Sequence, residues 1–418
     1  MPGFHYKDDI LNVDSIPVHA IAEQFGTPCY IYSQDKIVQN WTSFNSALSY
    51  SDHMVCYAVK ANPNIAILNL LANLGSGFDI VSIGELERVL AAGGDPQKIV
   101  FSGVGKRQDE IERALAVNIF CFNVESSSEL KRINNAAKQL HVVAPISLRV
   151  NPNVDAKTHP HITTGLIGNK FGVDINSAKD FYAEAESLTN VKISGIDCHI
   201  GSQLTDLEPY NNAFRQISNL ADDLRTSGFN IEHINLGGGL GIKYKKDEIL
   251  PTQEQYINSI KQEINQKDCK ILVEPGRSIM GDAGILLTRI EYLKHGSHKN
   301  FAVVDAAMTE LLRPALYNSW HEILPINKQS SSKTFCYDVV GPVCESADFL
   351  GKDRQLAIQE GDLIAIFSTG AYGASMASSY NSRPEIAAIL VQKDKPYLVQ
   401  KRGTVEQLMQ GESILPSK

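Results

Sequence analysis

Val55-Cys56-Tyr57-Ala58-Val59-Lys60-Ala61-Asn62 is a short apolar run, rich in aromatic and β-branched residues, that delivers a lysine at its end. Such a run reads as a buried strand, and Asn62-Pro63-Asn64 reads as the turn that bounds it. Lys60 then stands where the strand reaches the surface. An ammonium is costly in apolar surroundings unless paired, so a lysine there tends toward a lowered pKa and a reactive amine. A lysine that merely snorkels from a strand end gives the same local pattern. What the rest of the chain places around the amine decides between them.

Seven further runs of the same kind follow, at 78–82, 99–102, 119–124, 146–150, 193–200, 233–236 and 270–274. Between them lie segments with helical spacing, such as Ile67, Leu70, Leu71 and Leu74, or Leu86, Val89 and Leu90. Strand then helix, repeated eight times, predicts a (β/α)8 barrel. An open doubly wound sheet is the alternative, and eight consecutive units favour closure. Upstream, a helix is expected over Val18–Phe25 with Gly26 ending it, a strand over Cys29–Tyr32 and a helix over Gln34–Leu48. After about 285 the character changes to short strands without intervening helices: 301–305, 334–340, 362–367, 386–391 and 396–400, the last two joined by a hairpin connection. The expected organisation is therefore α/β plus all-β. The barrel spans 28–285, and an antiparallel β-domain, a compact barrel or sandwich, is made from 1–27 and 286–418.

A net charge of −8 and a pI near 5.8, with basic residues scattered along the chain, argue against nucleic acid or an anionic membrane as main partner. Met1 to Asp14 carries acidic residues and no apolar core, so it does not read as a signal peptide, and no apolar run approaches spanning length. The seven cysteines form no CxxC pair and several sit in apolar runs. That suggests buried free thiols in a reducing cytoplasm, with neither a disulfide frame nor a metal site.

In such barrels chemistry collects at the C-terminal ends of the strands. Those ends read Lys60; Asp79 and Ser82; Arg149-Val150-Asn151-Pro152; His199-Ile200-Gly201-Ser202-Gln203; Gly237-Gly238-Gly239-Leu240-Gly241; and Glu274-Pro275-Gly276-Arg277. The triple glycine lets backbone N–H groups approach an anion without a Cβ in the way, and Ser202 can donate to it. The run does not fit a dinucleotide fingerprint, because position 242 is Ile242, and Gly103-Val104-Gly105-Lys106 is too short for a P-loop. His199 can stack on a ring, and Glu274 facing a pyridine nitrogen would keep it protonated and make the ring a strong electron sink. Singly, each has a bland counterpart: a tight turn, a strand-end histidine, an ion pair with Arg277. Together a lysine amine, a phosphate cradle and a carboxylate for a ring nitrogen describe a pyridoxal-phosphate (PLP) site.

These motifs resemble the alanine-racemase-fold PLP decarboxylases. Within that group, Asp305-Ala306-Ala307-Met308, Arg313-Pro314-Ala315-Leu316-Tyr317, Gly341-Pro342-Val343-Cys344-Glu345-Ser346-Ala347-Asp348 and Gly370-Ala371-Tyr372-Gly373 resemble the diaminopimelate decarboxylases, over about residues 25 to 390. The resemblance implies decarboxylation of meso-2,6-diaminopimelate to L-lysine, the last step of lysine biosynthesis. It implies that Lys60 carries PLP as a Schiff base, that His199 stacks on its ring, and that Glu274 pairs with the ring nitrogen. Ser202, Gly239, Gly276 and Arg277 would hold the phosphate, and Asp79 belongs to the same cofactor set. Arg277, Arg313 and Tyr317 would grip the distal carboxylate, with Tyr372 touching cofactor and substrate. Cys344, as proton donor, and Glu345, on the distal amine, would come from the partner subunit of a homodimer.

Distal recognition separates the neighbouring chemistries. A decarboxylase for ornithine or arginine meets a cation at the far end, whereas two arginines suit a carboxylate held bidentately. A racemase wants a weaker sink than Glu274 provides. A non-catalytic PLP-binding regulator has no need of Arg313, Cys344 or Glu345.

Overall fold

The computed structural model describes residues 3–155, 169–265, 268–328 and 333–416. The chain divides into two compact units, Val38–Ile242 with Ile249–Ile279, and Met1–Ile37 with Lys243–Glu248 and Met280–Lys418. The first is a closed barrel of eight parallel strands: β1 His53–Ala58, β2 Gly77–Ile80, β3 Ile99–Phe101, β4 Cys121–Val124, β5 Ala144–Asn151, β6 Val191–Asp197, β7 His233–Asn235 and β8 Lys270–Val273. Neighbours in the ring are neighbours in sequence, and Ile271 and Val273 of β8 pair with His53 and Val55 of β1 to close it. Helices return the chain between strands, at Ile65–Asn73, Ile83–Ala91, Gln108–Ala116, Ser127–Gln139, Ala178–Glu186, Glu208–Thr226 and Gln253–Asn265. The alternation is incomplete at the eighth unit, where Arg277–Met280 forms only one short helix.

Two local devices shape this barrel. Helix starts after β2, β3 and β4 use a glutamate at the third helical position as an acceptor for the preceding loop. Glu85 takes the Val81 N–H at 2.7 Å, Glu110 takes those of Arg107 and Ile83 at 2.9 Å each, and Glu129 takes that of Glu125 at 2.9 Å. Ser82 and Ser126 cap the first and third of these helices by accepting the N–H groups of Glu85 and Glu129. Ser82 thus serves a helix start. Lys106 is equally structural: its buried ammonium contacts Glu129 at 2.6 Å and the carbonyls of Asn123 and Gly103. The second device is Gly195, at an irregularity in β6, where a Cβ would lie 2.2 Å from Nε2 of the buried His233.

The other unit is a mixed sheet. Its backbone is the twelve-residue strand Gly284–His295, which pairs with Cys29–Ser33, Leu363–Ile366 and Asn300–Val304, all antiparallel. Phe335–Val340 and Phe349–Leu356 extend one edge, and Ala387–Gln392 with Lys395–Gln400 the other. Two pairings depart from the expected antiparallel pattern: Asn300–Val304 runs parallel to Phe335–Val340, and Ala387–Gln392 runs parallel to Cys29–Ser33. No hairpin links the second pair, one strand coming from the N-terminal segment and one from the C-terminal segment, so the connection does not impose an antiparallel direction. Cys29–Ser33 belongs to this sheet, so the unit takes in residues up to Ile37, beyond the boundary expected at 28. Alternate residues, among them Cys29, Ile31, Ile285, Leu287, Ile389 and Val391, face one core shared with Leu11 and Val13 of the N-terminal hairpin.

Gly195→Ala should lower the apparent thermal midpoint, because overpacking a close-packed interior costs about 1–3 kcal/mol. Adding His233→Ala should restore part of the loss. An unchanged midpoint in the single variant would show that His233 has room to move.

Candidate active site

Strand β1 stops at Ala58, earlier than the sequence suggests, and Lys60 lies in the single 3-10 turn Val59–Ala61 that follows. The turn aims the amine across to the end of β2, where Nζ stands 2.5 Å from Oδ2 of the buried Asp79. Oδ1 of Asp79 is buried with no hydrogen-bond donor. Lys60 is thus an ion-paired amine at the barrel mouth, and the simple snorkelling alternative does not describe it.

The strand register lines up the next group. Arg149 of β5 is level with Asp197 of β6, which is level with Asn235 of β7. Arg149 contacts Glu125 at 3.2 Å and Asp197 at 3.9 Å. Asn235 donates to Glu274 Oε1 at 2.5 Å and accepts the Gly237 N–H at 3.0 Å, while the Glu274 N–H donates to Gly237 O. Glu274 is therefore oriented by its own backbone and by the neighbouring strand. Burial, then Asp79 and Asp197, hold its carboxyl well above the usual range. Asp197 is pushed up to about 7, chiefly by burial and against the pull of Arg149. Glu125, Asp197 and Asn235 escape the sequence reading. Their one signal is polarity within otherwise apolar strand ends.

His199 accepts the Gly238 N–H on Nδ1 at 3.1 Å. Burial, reinforced by Arg149 and Lys60, holds its pKa well below the usual imidazole range. The ring is consequently neutral with its proton on Nε2. The triple glycine does something besides exposing amides, since one of them is bonded to His199. A Cβ at Gly238 would lie 2.1 Å from Glu274 O, and one at Gly239, where φ is +109°, 2.2 Å from Gly201 O. Only glycine lets the loops after β6, β7 and β8 approach this closely. They are zipped by Leu204 N–H to Gly239 O at 3.0 Å and Gly241 N–H to Leu204 O at 2.9 Å. Arg277 Nη2 donates to Ser202 Oγ at 3.0 Å, and Gly276 packs on Ala58 and Ala61.

The remaining expected residues belong to the β unit. Arg313 is buried, with Nη1 on Tyr244 Oη at 2.6 Å, Nη2 on Ser319 Oγ at 3.3 Å and its guanidinium 5.0 Å from the Tyr244 ring centre. Tyr317 ends the short helix Arg313–Tyr317 and is half-buried. Tyr372, also half-buried, has a left-handed φ of +57°. Cys344 and Glu345 are exposed. Cys336 is exposed and Cys269 half-buried as well, so the expectation of uniformly buried thiols holds for Cys29, Cys56, Cys121 and Cys198 alone.

The barrel residues fit PLP by charge and by donor set. Asp79, Glu125, Asp197 and Glu274 are buried carboxylates, and Lys60 and Arg149 are the cations that contact them. A protonated ring nitrogen is the kind of group that balances such an excess. The unpartnered Oδ1 of Asp79 and the Arg277–Ser202 pair add one acceptor and a cationic donor set for a phosphate.

Residues 34–281 match the model of the pyridoxal-dependent decarboxylase family, pyridoxal binding domain. A diaminopimelate decarboxylase of Vibrio cholerae is 51% identical over the full length of both chains. The solved diaminopimelate decarboxylase of M. jannaschii, in co-complex with L-lysine, superposes with a TM-score of 0.94 at 38% identity, covering 99% of this chain and 98% of that one. The Helicobacter pylori enzyme complexed with L-lysine gives 0.90 at 43%, covering 94% and 98%. The chain belongs to the diaminopimelate decarboxylase family of pyridoxal-dependent decarboxylases.

Proposed function

We propose that the chain decarboxylates meso-2,6-diaminopimelate to L-lysine and carbon dioxide with PLP held in the barrel mouth. The observation that carries this is the Lys60–Asp79 pair standing in one mouth with the Asn235-oriented Glu274. Lys60 supplies the amine that holds the cofactor's aldehyde carbon. Glu274 faces the ring nitrogen, neutral His199 covers the ring, and Ser202, Gly239, Gly276 and Arg277 hold the phosphate. When bound, PLP supplies an electron sink for the pair left on the α-carbon as carbon dioxide departs. Asp79 orients the Lys60 amine. The Gly238 bond fixes the His199 tautomer, so the ring meets its neighbour without a competing charge. Asp197 contacts Arg149 and adds its carboxyl to the buried surroundings of Glu274.

Arg277, Arg313 and Tyr317 are assigned to the distal carboxylate, and Tyr372 to cofactor and substrate. Arg313 is supported in that role by its burial and by Tyr244 and Ser319, which fix the plane of its guanidinium. Exposure of Cys344 and Glu345 supports a homodimer in which each subunit lends these two residues to its partner, the thiol carrying the proton. A cytoplasmic location agrees with free cysteines. Among the described residues no helix is long and apolar enough to cross a membrane.

Lys60→Ala should abolish the visible absorbance of bound cofactor together with carbon dioxide release; a variant retaining that absorbance would overturn the assignment of Lys60. Carbon dioxide release also separates this reading from racemisation. Arg313→Lys should lower kcat/KM for diaminopimelate by about 10–100-fold, since a point charge replaces a fork that fits a carboxylate at two atoms. Ornithine turned over by the parent enzyme as fast as diaminopimelate would overturn the distal assignment.

A further inference from the structure

The loop Gly341–Asp348 carries Cys344 and Glu345, and bonds within the β unit fix it at two places. At its base, Asp348 accepts the N–H groups of Val343 at 2.8 Å and Met308 at 2.7 Å. Gly341 sits so close that a Cβ there would lie 2.5 Å from the Asp348 carboxylate and 2.7 Å from Ala306 O. At its tip the Cys344 N–H donates to Asn381 Oδ1 at 3.2 Å. Within its own subunit Cys344, Glu345 and Ser346 are all exposed, and the bond to the Cys344 amide is what ties the tip to the rest of the β unit.

Asn381 is held in an unusual way. It and Ser382 are consecutive non-glycine residues in left-handed conformation, with φ of +55° and +53°. Side chains adopt that backbone at a cost, and it persists only where the surroundings impose it. Here Arg383 does so, donating to Asp305 O at 2.7 Å, Thr309 Oγ1 at 3.1 Å and Glu310 Oε2 at 3.2 Å. On the other side Ser378 N–H donates to Thr309 O at 3.0 Å. The same short segment, 305–310, thus anchors both the base of the cysteine loop, through Met308, and the strained turn that meets its tip.

We propose that Asn381 is a positioning residue that sets the direction of the Cys344 thiol, with Arg383 holding Asn381 in the conformation that does so. This rests on the reading that Cys344 carries the proton. Asn381→Gly keeps the left-handed turn accessible and removes the acceptor, whereas Asn381→Asp retains an acceptor oxygen. In the full-length holoenzyme, Asn381→Gly should lower kcat about tenfold with KM within twofold, leaving cofactor absorbance and the thermal midpoint unchanged. Asn381→Asp should recover most of kcat. On a Cys344→Ala background, Asn381→Gly should cost nothing further, because the group it orients is gone. If Asn381→Gly does not fold, Asn381→Ser carries the same expectation, since serine already occupies this conformation at 382. Cys344→Ala at parental kcat would overturn the reading of Cys344, and the proposal with it. An impaired Cys344→Ala beside a glycine variant at parental kcat would overturn the positioning role alone. So would an equal loss from Asn381→Gly on both backgrounds.

Discussion

Burying like charges together is among the costliest arrangements a protein can make, and the barrel mouth is built on one. Two unit charges 4 Å apart interact by about 4 kcal/mol at the effective dielectric found near protein surfaces, and by more deeper inside. Asp79, Glu125, Asp197 and Glu274 share the region with Lys60 and Arg149, and burial first, then the neighbouring carboxylates, raises the carboxyls of Glu274 and Asp197. Such a region stands ready for a cation and resists a further anion, except where Arg277 supplies its own positive charge.

Parallel closure brings these groups together. Because β8, β1 and β2 are adjacent, Glu274, Lys60 and Asp79 arrive from three successive strand ends; because β5, β6 and β7 are in register, Arg149, Asp197 and Asn235 form one row. Short turns then set the final aim. Lys60 points to Asp79 because the strand gives way to a 3-10 turn two residues before it would have done on pattern alone. The glycines allow the loops after β6, β7 and β8 to touch, and that contact delivers the Gly238 amide to His199.

The ring of strands was legible because parallel strands buried on both faces appear as unbroken apolar runs, and eight of them in succession leave little choice of topology. The motif residues were legible for the same reason: polar groups ending apolar strands stand out. Less was legible where partners are distant in sequence. Nothing local announces that Cys29–Ser33 pairs with Ala387–Gln392 in parallel, that Gly284 begins a twelve-residue strand, or that Asp197 and Glu125 bracket Arg149. By sequence Gly238 offers an amide to an anion, and only the meeting of two distant loops gives that amide to His199.

The strand Cys29–Ser33 lies between Gly284–His295 and Ala387–Gln392. One of its neighbours is therefore made some 250 residues after it and the other some 350, and the whole barrel is synthesised in the interval. Domains generally fold as units during synthesis. The barrel has all its strands once Val273 has emerged, whereas this β-strand waits for Gly284–His295 on one edge and keeps the other edge open until Ala387–Gln392 is made. For a growing chain the barrel is an insertion completed before this strand has both of its partners.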